Sequence, residues 1–236
     1  MALGHFMKDA ASTKARERLL HTKAVFDMRL HAAIEGHQIQ FTEPEIDNEG
    51  FDFTVVADYT SLYIQNKAAI RPGGARSWNV WARLLKVSSE DRNTVPLLDG
   101  DPVGRYEVGA TGGVLIHLVD WHKADQEGVL AVKYRYFDIY YAIAVARGMM
   151  AAKNFPPEEA LRLIREIRDA SPDDRLVLQN RHCLPIRSPA AVPALRLGMG
   201  GYNYISAMPR TLDSPPEAHE VFLADSWRRY VQFWCT

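Results

Sequence analysis

The sequence has almost no cysteine: Cys183 and Cys235 are the only two in 236 residues. Two such thiols, without paired spacing, make neither a disulfide framework nor a zinc site, and they agree with a reducing compartment. The chain also lacks an apolar run long enough to span a bilayer, and its start, MALGHFMKDAAS, has no charged-then-apolar leader pattern. A cytoplasmic protein with no membrane partner is the expectation. A surplus of either charge is missing too, the formal net charge being -1. That leaves only a local basic face for binding phosphates. The glycine-rich GMGG at 198–201 neither follows a strand nor opens a helix, which argues against a dinucleotide site.

What is present suits an ordinary globular protein: 47% hydrophobic and 24% charged residues exclude a disordered chain. The length fits one domain, or one with a small appendage. The organising stretch runs from Glu43 to Ile70. Within it Phe51, Phe53, Val55 and Ala57 alternate with Asp52, Thr54 and Val56, the period of a half-buried strand. From Leu62 to Ile70 the same period sets Gln65 and Lys67 on one face and Asn66 on the other. A polar turn at 58–61 would make these runs a hairpin and place Asp52 opposite about Lys67. Asp52, Gln65 and Lys67 then converge. Phosphodiester hydrolysis needs a divalent cation on oxygen ligands and a cation to steady phosphate charge. Asp52, the Gln65 oxygen and the main-chain carbonyl of Asn66 would supply the first, and Lys67 the second.

Gly50-x-Asp52, twelve intervening residues and then Gln65-x-Lys67 resembles the signature of the PD-(D/E)xK nuclease superfamily, which includes restriction endonucleases and junction-resolving enzymes. The run Ala15-Arg16-Glu17-Arg18-Leu19-Leu20 and the run Pro44-Glu45-x-Asp47-x-x-Gly50 are similar to a group of small bacterial members. The resemblance covers residues 12 to 145. It implies a restriction-endonuclease-like α/β fold, a mixed β-sheet flanked by α-helices. It also implies Mg²⁺ or Mn²⁺ as cofactor and nucleic acid, DNA first, as substrate. One departure is plain: Gln65 stands where the pattern has an acid, which removes a negative ligand. A nuclease-like module that binds nucleic acid or a protein partner without cutting is the alternative.

The resemblance also implies an acid on the helix before the motif. Residues 12–35 read as that helix, with Leu20, Ala24, Asp27, His31 and Ile34 on one stripe. Asp27 matches the auxiliary acid and metal ligand better than Glu17, about 80° away around the helix. Its other reading is an ion pair with Lys23, Arg29 or His31. In the acidic loop of Glu43, Glu45, Asp47 and Glu49, Glu45 is the candidate metal ligand.

Further along, 38–41 suits a first strand, and 78–87 fits a helix or a strand. Residues 113–121 suit a buried strand, 123–128 a turn and 129–136 a neighbouring strand. His117 and His122 read as structural, and the aromatic cluster from Tyr134 to Tyr141 as core rather than as a base-stacking surface. Residues 156–170 form an amphipathic helix, 176–178 a short strand, and 185–208 an irregular connection. A closing helix at 217–234 is apolar enough to pack on the domain or on a second copy, and from it comes the expectation of a homodimer. The division expected is a nuclease-like core at 1–150 with a C-terminal helical and irregular extension at 151–236.

Overall fold

The computed structural model describes residues 3–44, 50–57, 60–71, 75–87, 109–148, 150–196, 228, 231, 232, 234 and 235. Eight strands lie among them: β1 (Gln40–Thr42), β2 (Phe53–Ala57), β3 (Thr60–Arg71), β4 (Ser77–Trp81), β5 (Gly113–Asp120), β6 (Ala131–Asp138), β7 (Arg175–Gln179) and β8 (Leu184–Ile186). Six of them form a mixed sheet in the order β1-β2-β3-β5-β6-β8, and β4 pairs with β7 in a second sheet. Only β3 and β5 run parallel; every other pair is antiparallel. The architecture is mixed α/β.

The hairpin is tighter than its polar residues suggest. Ala57 pairs with Thr60, so the turn is reduced to positions 58 and 59, which lie outside the described residues. Thr60 and Ser61 are drawn into the ladder, where their backbone groups find partners on Ala57 and Val56. Continued one step past Phe53 and Ile64, this register sets Asp52 opposite Gln65 and not Lys67. Lys67 is still on the same face, one side-chain repeat further along. Because β3 is twelve residues long and β2 only five, Asn66–Arg71 pairs with β5 alone. The other edge of that segment borders the cleft described below.

After the short helix α1 (Leu3–Lys8), helix α2 (Thr13–Ile34) buries Leu20, Ala24, Met28 and Ala32, a row with a step of four. Asp27 and His31 flank that row, and Ile34 is 71% exposed. The expected stripe is therefore rotated: small Ala24 and Ala32 bring the helix close along a narrower seam. Gly36, at φ +75°, ends the helix in the left-handed conformation that glycine adopts without strain.

The undecided segment 78–87 is both things in turn: β4, then the short helix α3 (Ala82–Leu85). The expected turn at 123–128 is helical, α4 (Trp121–Glu127). Asp120 caps its start by accepting from the backbone N–H groups of His122 and Lys123, and Gly128 caps its end. Helix α5 (Ile139–Ala146) is buried from Ile139 to Val145 and begins at Asp138, whose carboxylate accepts from the Tyr141 N–H and the Tyr136 hydroxyl. Tyr134, Tyr136, Phe137, Tyr140 and Tyr141 are all buried, so that cluster is core. Helix α6 (Pro157–Asp169) buries Ala160, Leu163, Ile164 and Ile167.

The chain beyond residue 150 is not an appendage to this frame. β8 completes the large sheet beside β6, and β7 pairs with β4 along five residues. The expected boundary near 150 thus separates strands that pair within the same sheets. Of the closing segment, Trp234 is buried and its ring stands edge-on to His31 of α2, 4.8 Å away. The described part of the tail packs inward, which leaves the homodimer expectation without this support. Most of 217–234, residues 88–108 and the GMGG run lie outside the described residues. No helix among the described residues is long and apolar enough to cross a membrane.

Candidate functional site

Where β2 falls away from β3, a cleft of about 650 Å³ opens between α2 and the β4–β7 sheet. Asp52, Gln65 and Lys67 line it together, as do Asn66 and Ala68 of the β3 edge. The backbone explains why they meet. Gly50 takes φ +77°, a conformation strained for any other residue, and its Cα lies against the Trp81 ring where a Cβ would collide. That turn delivers Asp52 to the end of the hairpin, where its N–H donates to the Ile64 carbonyl. The Asp52 Oδ2 then accepts from the Asn66 N–H at 2.5 Å. The carboxylate therefore caps the β3 edge at the point where backbone pairing with β2 stops. Gln65 is buried, and its Oε1 has no hydrogen-bond partner among the described residues. An amide oxygen left in that state is costly unless a donor or a cation completes it.

The opposite face of β3 carries a hydrogen-bonded chain. His117 Nε2 lies 3.0 Å from Asn66 Oδ1, and Asn66 Nδ2 lies 3.2 Å from His21 Nδ1. His21 Nε2 reaches Glu43 Oε1 at 3.1 Å, and Glu43 Oε2 accepts from Arg18 at 2.7 Å. With the Asn66 amide so placed, its Oδ1 faces the His117 Nε2–H as acceptor and its Nδ2 faces the His21 ring. The Arg18 hydrogen bond holds the Glu43 carboxyl below its ordinary value. Burial above all, with the Lys23 charge behind it, lowers His117 to about 3.

This shift fixes the sign of an acid effect. Below about pH 6.5 an unfolded His117 takes up a proton that the folded one refuses until about pH 3. Stability is therefore lost as pH falls through that window, by about 1.4 kcal/mol per pH unit. Urea midpoints at pH 7.5 and pH 5 should show the wild type losing about 2 kcal/mol more than His117→Gln. Equal losses would remove His117 as the cause.

Asp27, the acid preferred for the helix, is not on the cleft. It pairs with Lys23 at 3.0 Å, and its charge helps to raise the Tyr134 hydroxyl above its ordinary value, after burial. Ten residues separate it from Glu17, about 15 Å along the axis. Glu17 does line the cleft. Glu45 lies outside the described residues. Among the described residues, no group of three or more His, Cys, Asp or Glu side chains is placed to hold a metal.

The comparisons yield no family. No protein-family model, no curated protein and no solved structure matches the chain. The site must be read from its own geometry.

Several lining residues escape sequence reasoning. His21 sits next to Leu20 in an ordinary amphipathic helix, with nothing local to mark it. Trp81 and Arg175 are cross-strand partners through the β4–β7 pairing, 94 positions apart in sequence. The two cysteines stay out of the chemistry: burial raises the Cys183 thiol and pushes Cys235 up to about 12. His122 stacks on Trp121 at 3.6 Å and does not line the cleft.

Proposed function

We propose that the cleft is a metal-dependent nuclease centre that hydrolyses phosphodiester bonds of nucleic acid, DNA first. The observation that carries this reading is the meeting of Asp52, Gln65 and Lys67 at the open β3 edge, with a buried Gln65 oxygen lacking a partner among the described residues. A restriction-endonuclease-like form of the mixed sheet belongs to the same proposal. Its support is a helix preceding the motif and an acid and Gln-x-Lys on adjacent antiparallel strands.

The residues present fit Mg²⁺ or Mn²⁺, which take oxygen ligands and keep several waters. Asp52 would contribute its carboxylate and Gln65 its Oε1. Asn66 would contribute its main-chain carbonyl, which leaves an extended strand on the same edge as the N–H that Asp52 accepts from. When bound, such an ion supplies an activated water and offsets charge on the phosphate. Lys67 places an ammonium on the face shared with Asp52 and Gln65, where it binds phosphate oxygens and favours the more charged transition state. The brace of His21 and His117 holds the Asn66 side chain and so keeps the motif strand in register. With Gln65 in place of an acid, one negative ligand fewer faces the ion, and weak metal affinity is expected.

A second reading, a nuclease-like module that binds nucleic acid or a protein partner without cutting, is favoured by the lack, among the described residues, of three His, Cys, Asp or Glu side chains grouped to hold a metal. Calorimetric titration with Mn²⁺ separates the two. One ion per chain, lost in Asp52→Ala, is expected of the nuclease. No metal heat, with nucleic-acid binding indifferent to EDTA, would favour the second reading.

A further inference from the structure

The wall of the cleft opposite α2 carries a feature that metal chemistry does not use. The Arg175 guanidinium carbon stands 3.2 Å from the centroid of the Trp81 ring. The two residues are cross-strand partners in the β4–β7 pair, so their backbones hold them face to face. Arg175 is exposed and takes no carboxylate partner among the described residues, and Trp81 is half-buried. Its neighbours behave otherwise: Arg16 donates to the Met7 and Asp9 carbonyls, and Arg18 pairs with Glu43. Arg175 is thus a planar cation resting on an aromatic ring, with its outer surface towards solvent at the cleft.

We infer that this stack is a platform for an unpaired base, and that the substrate of the cleft is a single strand of nucleic acid rather than a duplex. The inference rests on the nucleic-acid reading of the site but not on its metal chemistry. Bases stack on aromatic rings and on guanidinium planes, and any base has a face to offer. In a duplex those faces are already occupied by neighbouring base pairs. Size points the same way. A cleft of about 650 Å³ matches a drug-sized ligand, roughly a nucleotide or two. A strand whose base rests on Arg175 would direct its backbone towards Lys67, which lines the same cleft.

Fluorescence anisotropy in EDTA, at one fixed salt concentration, tests this with a fluorescein-labelled 12-nucleotide DNA and the same strand in duplex. The single strand is expected to bind about tenfold tighter or more. Arg175→Lys keeps the charge but loses the plane, and should lose most of that margin with duplex binding little changed. Trp81→Phe, which keeps a ring, should retain part of it. Equal affinity for both forms, or wild-type behaviour in Arg175→Lys, overturns the inference. An RNA strand binding like the DNA strand supports it, the platform being blind to the sugar. Cleavage of the same oligonucleotides in Mg²⁺ keeps the two claims apart. Single-strand binding that depends on Arg175, without cutting, supports the platform and removes the nuclease. Cutting of duplex without preference for single strands retains the nuclease and overturns the platform.

Discussion

Asp52→Asn should reduce metal-dependent cleavage about a hundredfold or more while leaving the fold in place. The substitution removes the charge but keeps an oxygen that can accept from the Asn66 N–H, the bond that ties the end of the hairpin to β3. Asp52 is exposed, so the exchange puts no new polar group into the core. Stability should change little, because an exposed neutral-for-charged exchange that preserves the acceptor disturbs no packing. The check is a pair of measurements on one preparation: urea unfolding, with midpoints close together, and oligonucleotide cleavage in Mg²⁺, with the variant inactive. A variant that unfolds like the wild type and cuts like it would remove Asp52 from the reaction.

Gly50→Ala should destabilise the protein by about 2–5 kcal/mol, from two sources. A non-glycine residue at φ +77° costs about 1–2 kcal/mol, and the new methyl would enter the space held by Trp81, an overpacking that costs about 1–3 kcal/mol. Gly36→Ala is the natural control, with φ +75° and nothing within 4 Å of an added Cβ. It should show the backbone cost alone. Urea denaturation of the two variants isolates the contact with Trp81. Equal losses would mean that Trp81 moves aside at no cost, and that Gly50 serves only its turn.

Much of this arrangement is legible in the sequence where periodicity is strict. The alternation from Phe51 to Ala57 and from Leu62 to Ile70 gives both strands and the shared face of Gln65 and Lys67, because a period of two admits one assignment of faces. It does not give the register. Thr60 and Ser61 read equally well as turn and as strand, and their entry into the ladder moves the partner of Asp52 from Lys67 to Gln65. Helix α2 is plain from its length, but its seam is not. A row of Leu20, Ala24, Met28 and Ala32 with alanines in two of four places carries a weak apolar signal, and Ile34 misleads by being exposed. The same rotation takes Asp27 off the expected stripe. The far wall of the cleft was out of reach altogether, since nothing local in the Arg175 strand announces that it pairs with Trp81. His117, by contrast, is readable as structural from the apolar run around it, although its partner Asn66 is not.

The most direct test of the proposed chemistry compares wild-type protein with Lys67→Ala on supercoiled plasmid, linear duplex and single-stranded DNA, in Mg²⁺ or Mn²⁺ and in EDTA. Lys67 is the control because a contaminating nuclease would cut equally in both preparations. Cutting by the wild type that needs the metal and disappears in Lys67→Ala is the expected result. Cutting that persists in Lys67→Ala, or none by the wild type on any of these DNAs, would contradict a nuclease centre at Asp52, Gln65 and Lys67.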